Sequence, residues 1–362
     1  MEKRFLIIGA GLSGATIARQ LADNNYEVTL IEKRAHIAGN CFDYEDKKTN
    51  IRLHKYGPHI FHTSNKKVFQ WLSRFTEWVD YEHKVVAEIN SGKLVPFPPN
   101  LKTLEYVKPT DLVNTFYRPY SEKMWGLDLE EINPEIIKRV PIRDDYEDKY
   151  FPLDRFQKLP KKGYTSLIKN ILSHNLIDIK LSTPFEQDML NHYDHIFNSM
   201  PIDEFFNYKF GFLPYRSIKF HNKIYKSKNL TPYPVINYTN NSIYTRHTEW
   251  KNFPSHGLNK KLTIVTKEEP CDFRSNNYER YYPIVDKRGL NYKLYKKYKA
   301  HVPKNMTFIG RCGMYVYINM DQAVSSSLTI CKNFINKKKK YEIYFILPRS
   351  FYRWPICHAS IK

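Results

Sequence analysis

Three glycines near the start of the chain have a spacing that can form a phosphate-binding turn. Gly9, Gly11 and Gly14 follow an apolar run and precede a helical pattern. In such a G-x-G-x-x-G turn the first glycine permits a tight bend, the second admits a pyrophosphate, and the third lets strand and helix pack closely. Glu32 ends the next apolar run, near the spacing of about 20 residues at which a carboxylate accepts ribose hydroxyls. The pattern predicts a dinucleotide site formed by Gly9, Gly11, Leu12, Ser13, Gly14, Glu32, Lys33, Gly39 and Asn40.

A second glycine turn bears on which dinucleotide is bound. A nicotinamide domain usually continues from its acidic strand into another helix and strand. Here Gly39 lies in the segment 35–43, directly after that strand. Such a turn is more typical of FAD enzymes, in which more of the backbone lines the cofactor. We therefore expect FAD rather than NAD.

A parallel sheet must position these residues. Residues 5–8 and 27–31 are predicted to be buried strands, with a helix at 13–23 between them. The remaining patterns predict helices at 65–80, 163–175 and 320–334, a hairpin at 84–98, mostly helical structure over 99–140, strands at 177–181, 195–201 and 307–311, and an antiparallel sheet over 215–285.

Length, charge and cysteines narrow the function classes. The 362 residues suffice for two or three domains, and 57 Lys and Arg against 37 Asp and Glu give a net charge of +20, which suits anionic partners. No nucleic-acid motif accompanies that charge, so nucleic-acid binding is not expected. The five cysteines are widely spaced and lack a CxxC pattern, which argues against a zinc site or a disulfide framework. Without a secretory signal or an apolar span of about 20 residues, we expect a soluble cytoplasmic protein.

Further segments match one known family in type and in order along the chain. They include HKYGPHIFHT (54–63), YSEKMWG (120–126), IKRVPIR (137–143), YTRHTEWK (244–251) and GRCGMYVYINMDQAV (310–324). Over roughly residues 1–334 the chain resembles the UDP-galactopyranose mutase family, flavoenzymes that interconvert UDP-galactopyranose and UDP-galactofuranose. Several of these segments are long and rich in rare residues, which makes chance agreement very improbable.

The resemblance implies an α/β fold with a discontinuous Rossmann-like FAD-binding domain, a helical domain and a twisted antiparallel β-sheet domain. It also implies a homodimer. The expected ranges are 1–64, 151–205 and 301–335 for the FAD-binding domain, 65–150 for the mainly helical domain with the hairpin 84–98 joining the sheet, 206–300 for the substrate-binding sheet, and 336–362 for a basic-aromatic tail.

The resemblance also implies a mechanism. FAD must be reduced, and its N5 attacks the anomeric carbon of the sugar and expels UDP. The sugar opens as a flavin iminium, recloses through another hydroxyl, and UDP returns without net redox change. The galactofuranose would supply cell-surface polysaccharide.

Two arginines are the leading catalytic candidates, together with His62. Arg139 and Arg246 match the two pyrophosphate-binding arginines of the family, and a planar guanidinium suits a diphosphate that must stay bound while detached from the sugar. Surface salt bridges remain the alternative for both. The segment between Trp125 and Arg139 resembles a mobile lid.

Other candidates surround the substrate. Tyr150, Tyr282 and Tyr317 match phosphate-contacting tyrosines, whereas Asn237 and Glu268 match polar residues of the pocket. The expected aromatic shelf for uracil and sugar consists of Phe116, Tyr120 and Trp125, although core packing would equally explain Phe116 and Trp125.

The histidine segment would run along the flavin. His59 and His62 flank the apolar pair Ile60–Phe61 next to a Gly–Pro turn, and they could donate hydrogen bonds to a reduced, anionic flavin. A structural role is the alternative, and neither histidine is assigned as a general base. The expected cofactor contacts outside the first 40 residues are His59, Ile60, His62, Arg311, Tyr317, Asn319 and Met320.

The chain departs from the family pattern in three places. The stretch from Leu101 to Tyr120 is short, which puts the dimer geometry in doubt, and Asn319 stands where many members have aspartate. The tail 336–362 has no recognised counterpart, so it is either unimportant or a peripheral contact with anionic membrane. A flavin oxidoreductase, or a UDP-sugar-binding protein without turnover, remains an alternative function.

Overall fold

The computed structural model describes residues 4–346, and side chains over 4–336. The strands are β1 Arg4–Ile8, β2 Glu27–Ile31, β3 Asp43–Glu45, β4 Arg52–His54, β5 Phe61–Thr63, β6 Trp78–Asp80, β7 Val85–Glu88, β8 Leu94–Phe97, β9 Phe156–Pro160, β10 Ile177–Lys180, β11 His195–Asn198, β12 Tyr215–Tyr225, β13 Val235–Tyr238, β14 Arg246–Glu249, β15 Thr263–Asp272, β16 Tyr282–Pro283 and β17 Met306–Phe308. The helices are α1 Leu12–Ala22, α2 Lys66–Leu72, α3 Leu101–Leu104, α4 Arg118–Trp125, α5 Pro134–Ile137, α6 Tyr164–Leu172, α7 Ile202–Phe205, α8 Leu290–Lys299, α9 Gly310–Gly313 and α10 Met320–Ile346.

A five-stranded parallel sheet carries the glycine-rich turn. Its order is β10-β2-β1-β11-β17, so widely separated parts of the chain supply neighbouring strands. The apolar runs predicted as strands are buried on both faces, as expected where helices cover a parallel sheet. A Cβ on Gly14 would lie 2.0 Å from the Gly9 carbonyl oxygen, which explains why only glycine lets α1 pack this close to β1. The predicted Rossmann-like sheet is confirmed.

A seven-stranded sheet forms the second layer. Its order is β16-β12-β15-β14-β13-β7-β8, with β12 and β15 paired antiparallel along most of their length. The hairpin β7–β8 joins the edge, because β7 pairs parallel with β13. The sheet is therefore mixed at this edge, whereas the pattern predicted antiparallel pairing throughout.

The helix predicted over 65–80 is too long. Asn65 caps α2 by accepting backbone N–H groups of Lys67 and Val68, but the helix ends at Leu72. Residues Trp78–Asp80 form β6 instead and pair antiparallel with β9. Pairing with a distant strand overrides the local helical spacing of the aromatic residues.

Short helices and turns fill 99–140, and α4 is the one that matters for the site. Gly126 ends α4 with a φ of +63°, and Arg216 of β12 donates to the last carbonyls, Nε to Met124 (2.8 Å) and Nη2 to Lys123 (2.9 Å). The Lys123 ammonium donates to the Tyr238 carbonyl at 2.8 Å. These bonds fix α4, with its aromatic side chains, against the second sheet.

Over residues 4–346, none of the helices combines the length and apolar composition that crossing a membrane requires.

Candidate active site

A cavity of about 310 Å³ lies where β1, β2 and β11 end. This is the edge at which parallel sheets bind ligands. The predicted residues that line it are Gly9, Gly11, Leu12, Ser13, Gly14, Glu32, Lys33, Gly39, Asn40, His59, Arg311, Asn319 and Met320.

Two close backbone approaches shape the cavity floor. Gly9 has a φ of +99°, and a Cβ there would lie 2.1 Å from the Ser199 hydroxyl oxygen. A Cβ on Gly39 would come within 2.9 Å of the Gly11 Cα. The two predicted glycine turns therefore touch each other, and a side chain at Gly9 or Gly39 would collide with Ser199 or with Gly11 and distort the cavity lining.

The acidic residue at the end of β2 is held by backbone groups. Buried Glu32 accepts hydrogen bonds from the N–H groups of Ala10 (2.9 Å) and Arg34 (3.0 Å). This fixes its carboxylate at the cavity edge, where the remaining lone pairs can accept ribose hydroxyls. Sequence reasoning missed Arg34, which lines the cavity, pairs with Glu279 and leaves its buried Nε without a hydrogen-bond partner. Its position directly after the acidic strand was the available signal.

The two histidines that were predicted to contact the flavin lie in different surroundings. His59 lines the cavity, and its Nδ1 lies 2.8 Å from the Gly57 carbonyl oxygen, which can only accept. Burial lowers the pKa of His59 to about 4, so the ring is neutral at pH 7. Its Nε2 then carries a lone pair and accepts, whereas we had expected a donor.

His62 and Ile60 do not line the cavity. His62 Nδ1 lies 2.6 Å from an Asp154 carboxylate oxygen, and its ring stacks on Phe151 at 3.5 Å. Ile60 packs into the hydrophobic core. Their contact with the cofactor, and a catalytic role for His62, therefore stay predictions that this placement does not favour.

A second cluster lies on the seven-stranded sheet. Asn237, Arg246 and Glu268 occupy neighbouring register positions on β13, β14 and β15. Residues paired across strands share a face, so the sheet aligns the three polar side chains in one row. Two of them carry a buried oxygen without a hydrogen-bond partner: Asn237 Oδ1 and Glu268 Oε1. Buried polar atoms normally have hydrogen-bond partners, so unpartnered ones indicate a site that binds a polar ligand.

An ion pair determines the charge of this row. Arg246 Nε lies 3.2 Å from a Glu268 carboxylate oxygen, and Nη2 donates to the Tyr120 hydroxyl at 3.2 Å. Burial alone would lower the pKa of Arg246, but Glu268 and the nearby tyrosines raise it above its ordinary value. Burial raises the pKa of Glu268 although Arg246 opposes this. The guanidinium therefore stays charged.

Aromatic rings and a second guanidinium adjoin the row. The Trp125 ring packs edge-on against Tyr282 (6.2 Å between centroids) and Tyr317 (5.7 Å). Arg139 lies 4.1 Å over the Tyr317 ring, and it donates to the Tyr317 carbonyl and to Asn319 Oδ1. Tyr317 thus belongs to this cluster and does not line the cavity, where we had also expected it.

Tyr150 connects the two arginines. Burial raises the pKa of Tyr150, and the charges of Arg246 and Arg139 both act on its hydroxyl. Burial likewise raises the pKa of Tyr120 and of Tyr282. The three phenols stay protonated at pH 7 and can donate to an anionic ligand between the guanidiniums.

Arg311 links the two regions. It lines the cavity, donates to the Tyr281 carbonyl (3.1 Å) and the Ile318 carbonyl (2.7 Å), and lies over the rings of Tyr282 and Tyr317. We call Arg139, Arg246 and the polar and aromatic side chains that surround them the arginine cluster. The dinucleotide cavity therefore shares a wall with the arginine cluster.

A family model described as UDP-galactopyranose mutase matches residues 115–317, more than half of the chain and the part that contains the arginine cluster. This chain belongs to the UDP-galactopyranose mutase family. A second model, described as an NAD(P)-binding Rossmann-like domain, matches residues 7–75.

Individual relatives agree with this membership. A UDP-galactopyranose mutase of Mycoplasma pneumoniae is 34% identical, over 90% of this chain and 94% of its own. A dTDP-fucopyranose mutase of Escherichia coli is also 34% identical, over 93% of this chain and 100% of its own. A crystal structure of reduced UDP-galactopyranose mutase has the same fold, with a TM-score of 0.74 and 14% identity, covering 93% and 94% of the two chains.

Membership of the mutase family implies a flavin in the glycine-lined cavity. The residues present fit one, because Gly9, Gly11 and Gly39 admit a pyrophosphate, Glu32 faces the ribose position and buried Arg34 Nε lacks a partner. Arg34 is thus an added candidate for contact with the cofactor.

One shelf residue differs from its expected role in the mutase family. Phe116 is 1% exposed and packs against Phe97, so it offers no open face to uracil. Its prediction as a substrate contact is not supported, because core packing accounts for it.

Sequence reasoning also missed His83, a buried residue beside Tyr150. Burial and the charge of Arg246 lower the pKa of His83 to about 3. A single histidine in a strand pattern gave no signal.

Proposed function

We propose that this chain is a flavin-dependent UDP-galactopyranose mutase that interconverts UDP-galactopyranose and UDP-galactofuranose and supplies galactofuranose for cell-surface polysaccharide. The observation that supports this most is the row Asn237–Arg246–Glu268, with its unpartnered buried oxygens, beside a second guanidinium on Arg139. Arg246 is hydrogen-bonded to Tyr120 and Arg139 lies over Tyr317, and both of these tyrosines pack in one cluster with Trp125, so the two guanidiniums adjoin one site.

The two arginines have different tasks in this proposal. Arg246 is fixed by Glu268 and Tyr120, so it holds one phosphate in a constant place. Arg139 is exposed and follows α5 in a loop, so it can move when the ligand binds. Its bonds to the Tyr317 carbonyl and Asn319 would be exchanged for phosphate oxygens. Two planar forks then keep UDP bound while it is separated from the sugar.

The remaining groups orient the sugar nucleotide. The protonated hydroxyls of Tyr120, Tyr150 and Tyr282 donate to phosphate oxygens, whereas Asn237 and Glu268 accept from hydroxyls. Trp125 and Tyr317 form an aromatic wall that excludes water from the separated UDP.

The cofactor region meets this site at Arg311. When bound in its reduced form, the flavin supplies N5 as the nucleophile toward the anomeric carbon, with no net redox change. Neutral His59 lines the cavity, and its Nε2 lone pair can accept a hydrogen bond from a bound group.

A second candidate substrate follows from the relatives. Because a dTDP-fucopyranose mutase is as similar in identity as a UDP-galactopyranose mutase, dTDP-fucose is a specific alternative within the same chemistry. A flavin oxidoreductase of a neutral substrate is disfavoured, since it would have no use for two guanidiniums at one site.

The test is turnover of the purified chain. UDP-galactofuranose and dTDP-fucofuranose are incubated separately with the protein, with and without dithionite, and the sugar nucleotides are separated by chromatography. We expect UDP-galactopyranose only in the reduced sample. Faster conversion of the dTDP sugar would establish the second candidate. Failure of both reduced samples, with flavin bound, would refute the mutase proposal.

A further inference from the structure

Helix α8 carries a surface that the proposed reaction does not use. The chain contains no Asp or Glu from residue 287 to residue 320, whereas seven Lys and Arg lie between 287 and 304. We define the α8 surface as the exposed side chains of Lys287, Arg288, Leu290, Tyr292, Lys293, Lys296 and Lys297.

The cations on α8 itself have no close acidic partner among the described residues, whereas Lys287 lies near Glu130, whose pKa is lowered mainly by Arg118 and to a smaller extent by Lys287. Over residues 4–336, no carboxylate lies within ion-pair distance of these lysines or of Arg288, although lysines elsewhere do form such pairs. The partners of Lys296 and Lys297 are aromatic rings, since their ammonium groups lie 4.9 Å from the Tyr292 centroid and 4.6 Å from that of Phe210. The surface therefore presents several positive charges free to meet an anionic partner.

Two apolar side chains stand among these charges. Leu290 is 55% exposed and Tyr292 is 52% exposed. Helical spacing puts them on the two flanks of the lysines, because Lys293, Lys296 and Lys297 lie opposite buried Tyr295 and Tyr298. A leucine and a tyrosine beside lysines suit the boundary between headgroups and acyl chains, where both find an apolar contact. A nucleic acid would leave Leu290 without a partner.

The α8 surface is rigid and faces away from the core. The Tyr298 hydroxyl donates to the Gly211 carbonyl (2.6 Å) and accepts from the Phe210 N–H (2.9 Å), which fixes the inner side of the helix. The backbone N–H of Lys287 donates to the Glu131 carbonyl at 2.9 Å. Glu131 lies in the loop between Trp125 and Arg139, so the surface adjoins the segment that carries Arg139 to the active site.

We propose that the α8 surface docks this protein on anionic membranes, with the lysines on lipid phosphates and with Leu290 and Tyr292 inserted at the interface. Docking would bring the Arg139 loop next to the bilayer. Membrane contact was one of the two alternatives for the tail 336–362, of which residues 337–362 fall outside the residues whose side chains are described.

Vesicle binding of the full flavin-loaded chain tests the proposal. The protein is sedimented with vesicles of phosphatidylcholine alone or with about 30% phosphatidylglycerol, at low and physiological salt. We expect binding only to the anionic vesicles, weakened by salt. The variant Lys293→Ser/Lys296→Ser/Lys297→Ser should bind roughly 100-fold more weakly, because each lysine near an anionic surface contributes about 1 kcal/mol. Leu290→Ser/Tyr292→Ser should weaken binding without changing its salt dependence.

A matched control removes the same charge elsewhere. Lys47, Lys48 and Lys102 are exposed and lie outside the α8 surface, so Lys47→Ser/Lys48→Ser/Lys102→Ser should bind nearly as well as the unchanged chain. Equal losses in both triple variants, or no loss in the α8 variant, would overturn the proposal, the latter by placing the contact in the tail 336–362. Tighter binding to single-stranded RNA than to anionic vesicles would also overturn it. All variants should keep their turnover of soluble substrate.

Discussion

The cofactor cavity and the arginine cluster share a wall but are built differently. The cavity depends on backbone: Gly9, Gly11 and Gly39 make room, and backbone N–H groups hold the Glu32 carboxylate. The cluster depends on side chains from separate elements, with α4, β14 and β15 supplying Tyr120, Arg246 and Glu268. A site built from backbone loses its ligand when an added side chain changes its shape. A site built from charged side chains loses its ligand when one of those charges is removed. The two can therefore be damaged separately.

The largest effect is expected from a single methyl group in the cavity turn. Gly14→Ala places a Cβ 2.0 Å from the Gly9 carbonyl oxygen, so β1 and α1 must separate and the cofactor cavity distorts. We expect the flavin content, measured by absorbance per protein, to fall at least about 10-fold. Gly92→Ala is the control: at a φ of +75° it strains the turn of the β7–β8 hairpin, but its added Cβ meets no atom within 4 Å and it lies outside the cavity lining, so flavin content should not change. Full flavin content in Gly14→Ala would contradict the claim that the shape of the glycine turn controls cofactor binding.

Arg246→Ala should damage the other region without touching the first. It removes one of the two proposed phosphate contacts and leaves Glu268 buried without its cation. We expect turnover to fall roughly 10³-fold and the free energy of unfolding to fall by about 3 kcal/mol, with flavin content unchanged. Kinetics, thermal unfolding and absorbance measure the three quantities. Arg274→Ala, whose exposed guanidinium pairs with Asp272, should change neither turnover nor flavin content. Loss of flavin from Arg246→Ala would mean that the regions are not separable.

Arg139 sharpens the comparison within the cluster. Its side chain is exposed and makes no ion pair over residues 4–336, so Arg139→Ala should leave the unfolding temperature unchanged while kcat/KM falls roughly 100-fold. Arg139→Lys should restore only part of this, because an ammonium cannot supply the two parallel donors of a guanidinium. A full rescue by lysine would show that charge alone matters at this position.

Neutral histidines make stability depend on pH, and His247 follows Arg246 on β14, where strand alternation puts its side chain on the opposite face of the sheet. Burial lowers the pKa of His247 to about 4 from 6.5. The unfolded chain thus binds the extra proton between these values, and stability is lost as the pH falls from 6.5 toward 4. Urea unfolding between pH 4.5 and 6.5 should show a slope that His247→Gln reduces by up to about 1.4 kcal/mol per pH unit.

The smallest effect is expected where the regions meet. Asn319 lines the cavity and also accepts a hydrogen bond from Arg139. In Asn319→Asp this bond becomes charge-assisted, which holds Arg139 more strongly in its ligand-free position. We expect calorimetry to show UDP bound roughly threefold more weakly, with flavin content unchanged. Tighter UDP binding would argue that Arg139 is already in place without ligand.

The cavity could be predicted from the sequence because its determinants are local. The glycine spacing, the strands and Glu32 all lie within the first 40 residues, and the structure brings them together as expected. The local pattern could not show which of two similar residues would face the cavity, because strand pairing decides this. His59 and His62 look alike in the sequence, but β5 pairs with β9 and places His62 beside Asp154 instead of the cavity.

The arginine cluster could not be assembled from spacing alone. Asn237, Arg246 and Glu268 become neighbours only through the register of β13, β14 and β15, which no local pattern specifies. Resemblance to a family supplied these three residues, and it also supplied Phe116, whose burial does not favour the predicted contact with substrate. His83 was missed because its position beside Tyr150 depends on distant contacts, whereas Arg34 follows the acidic strand directly and could have been included.

Affinity for UDP compared with uridine tests the central claim, that Arg139 and Arg246 form a diphosphate clamp. Calorimetry on the flavin-loaded chain would give Kd for both ligands in the unchanged protein, Arg139→Ala, Arg246→Ala and the double variant. The account predicts that each variant weakens UDP binding roughly 10- to 100-fold while uridine binding is unaffected. Equal losses for UDP and uridine, or no loss for either, would contradict the clamp and with it the reason for preferring a mutase over an oxidoreductase.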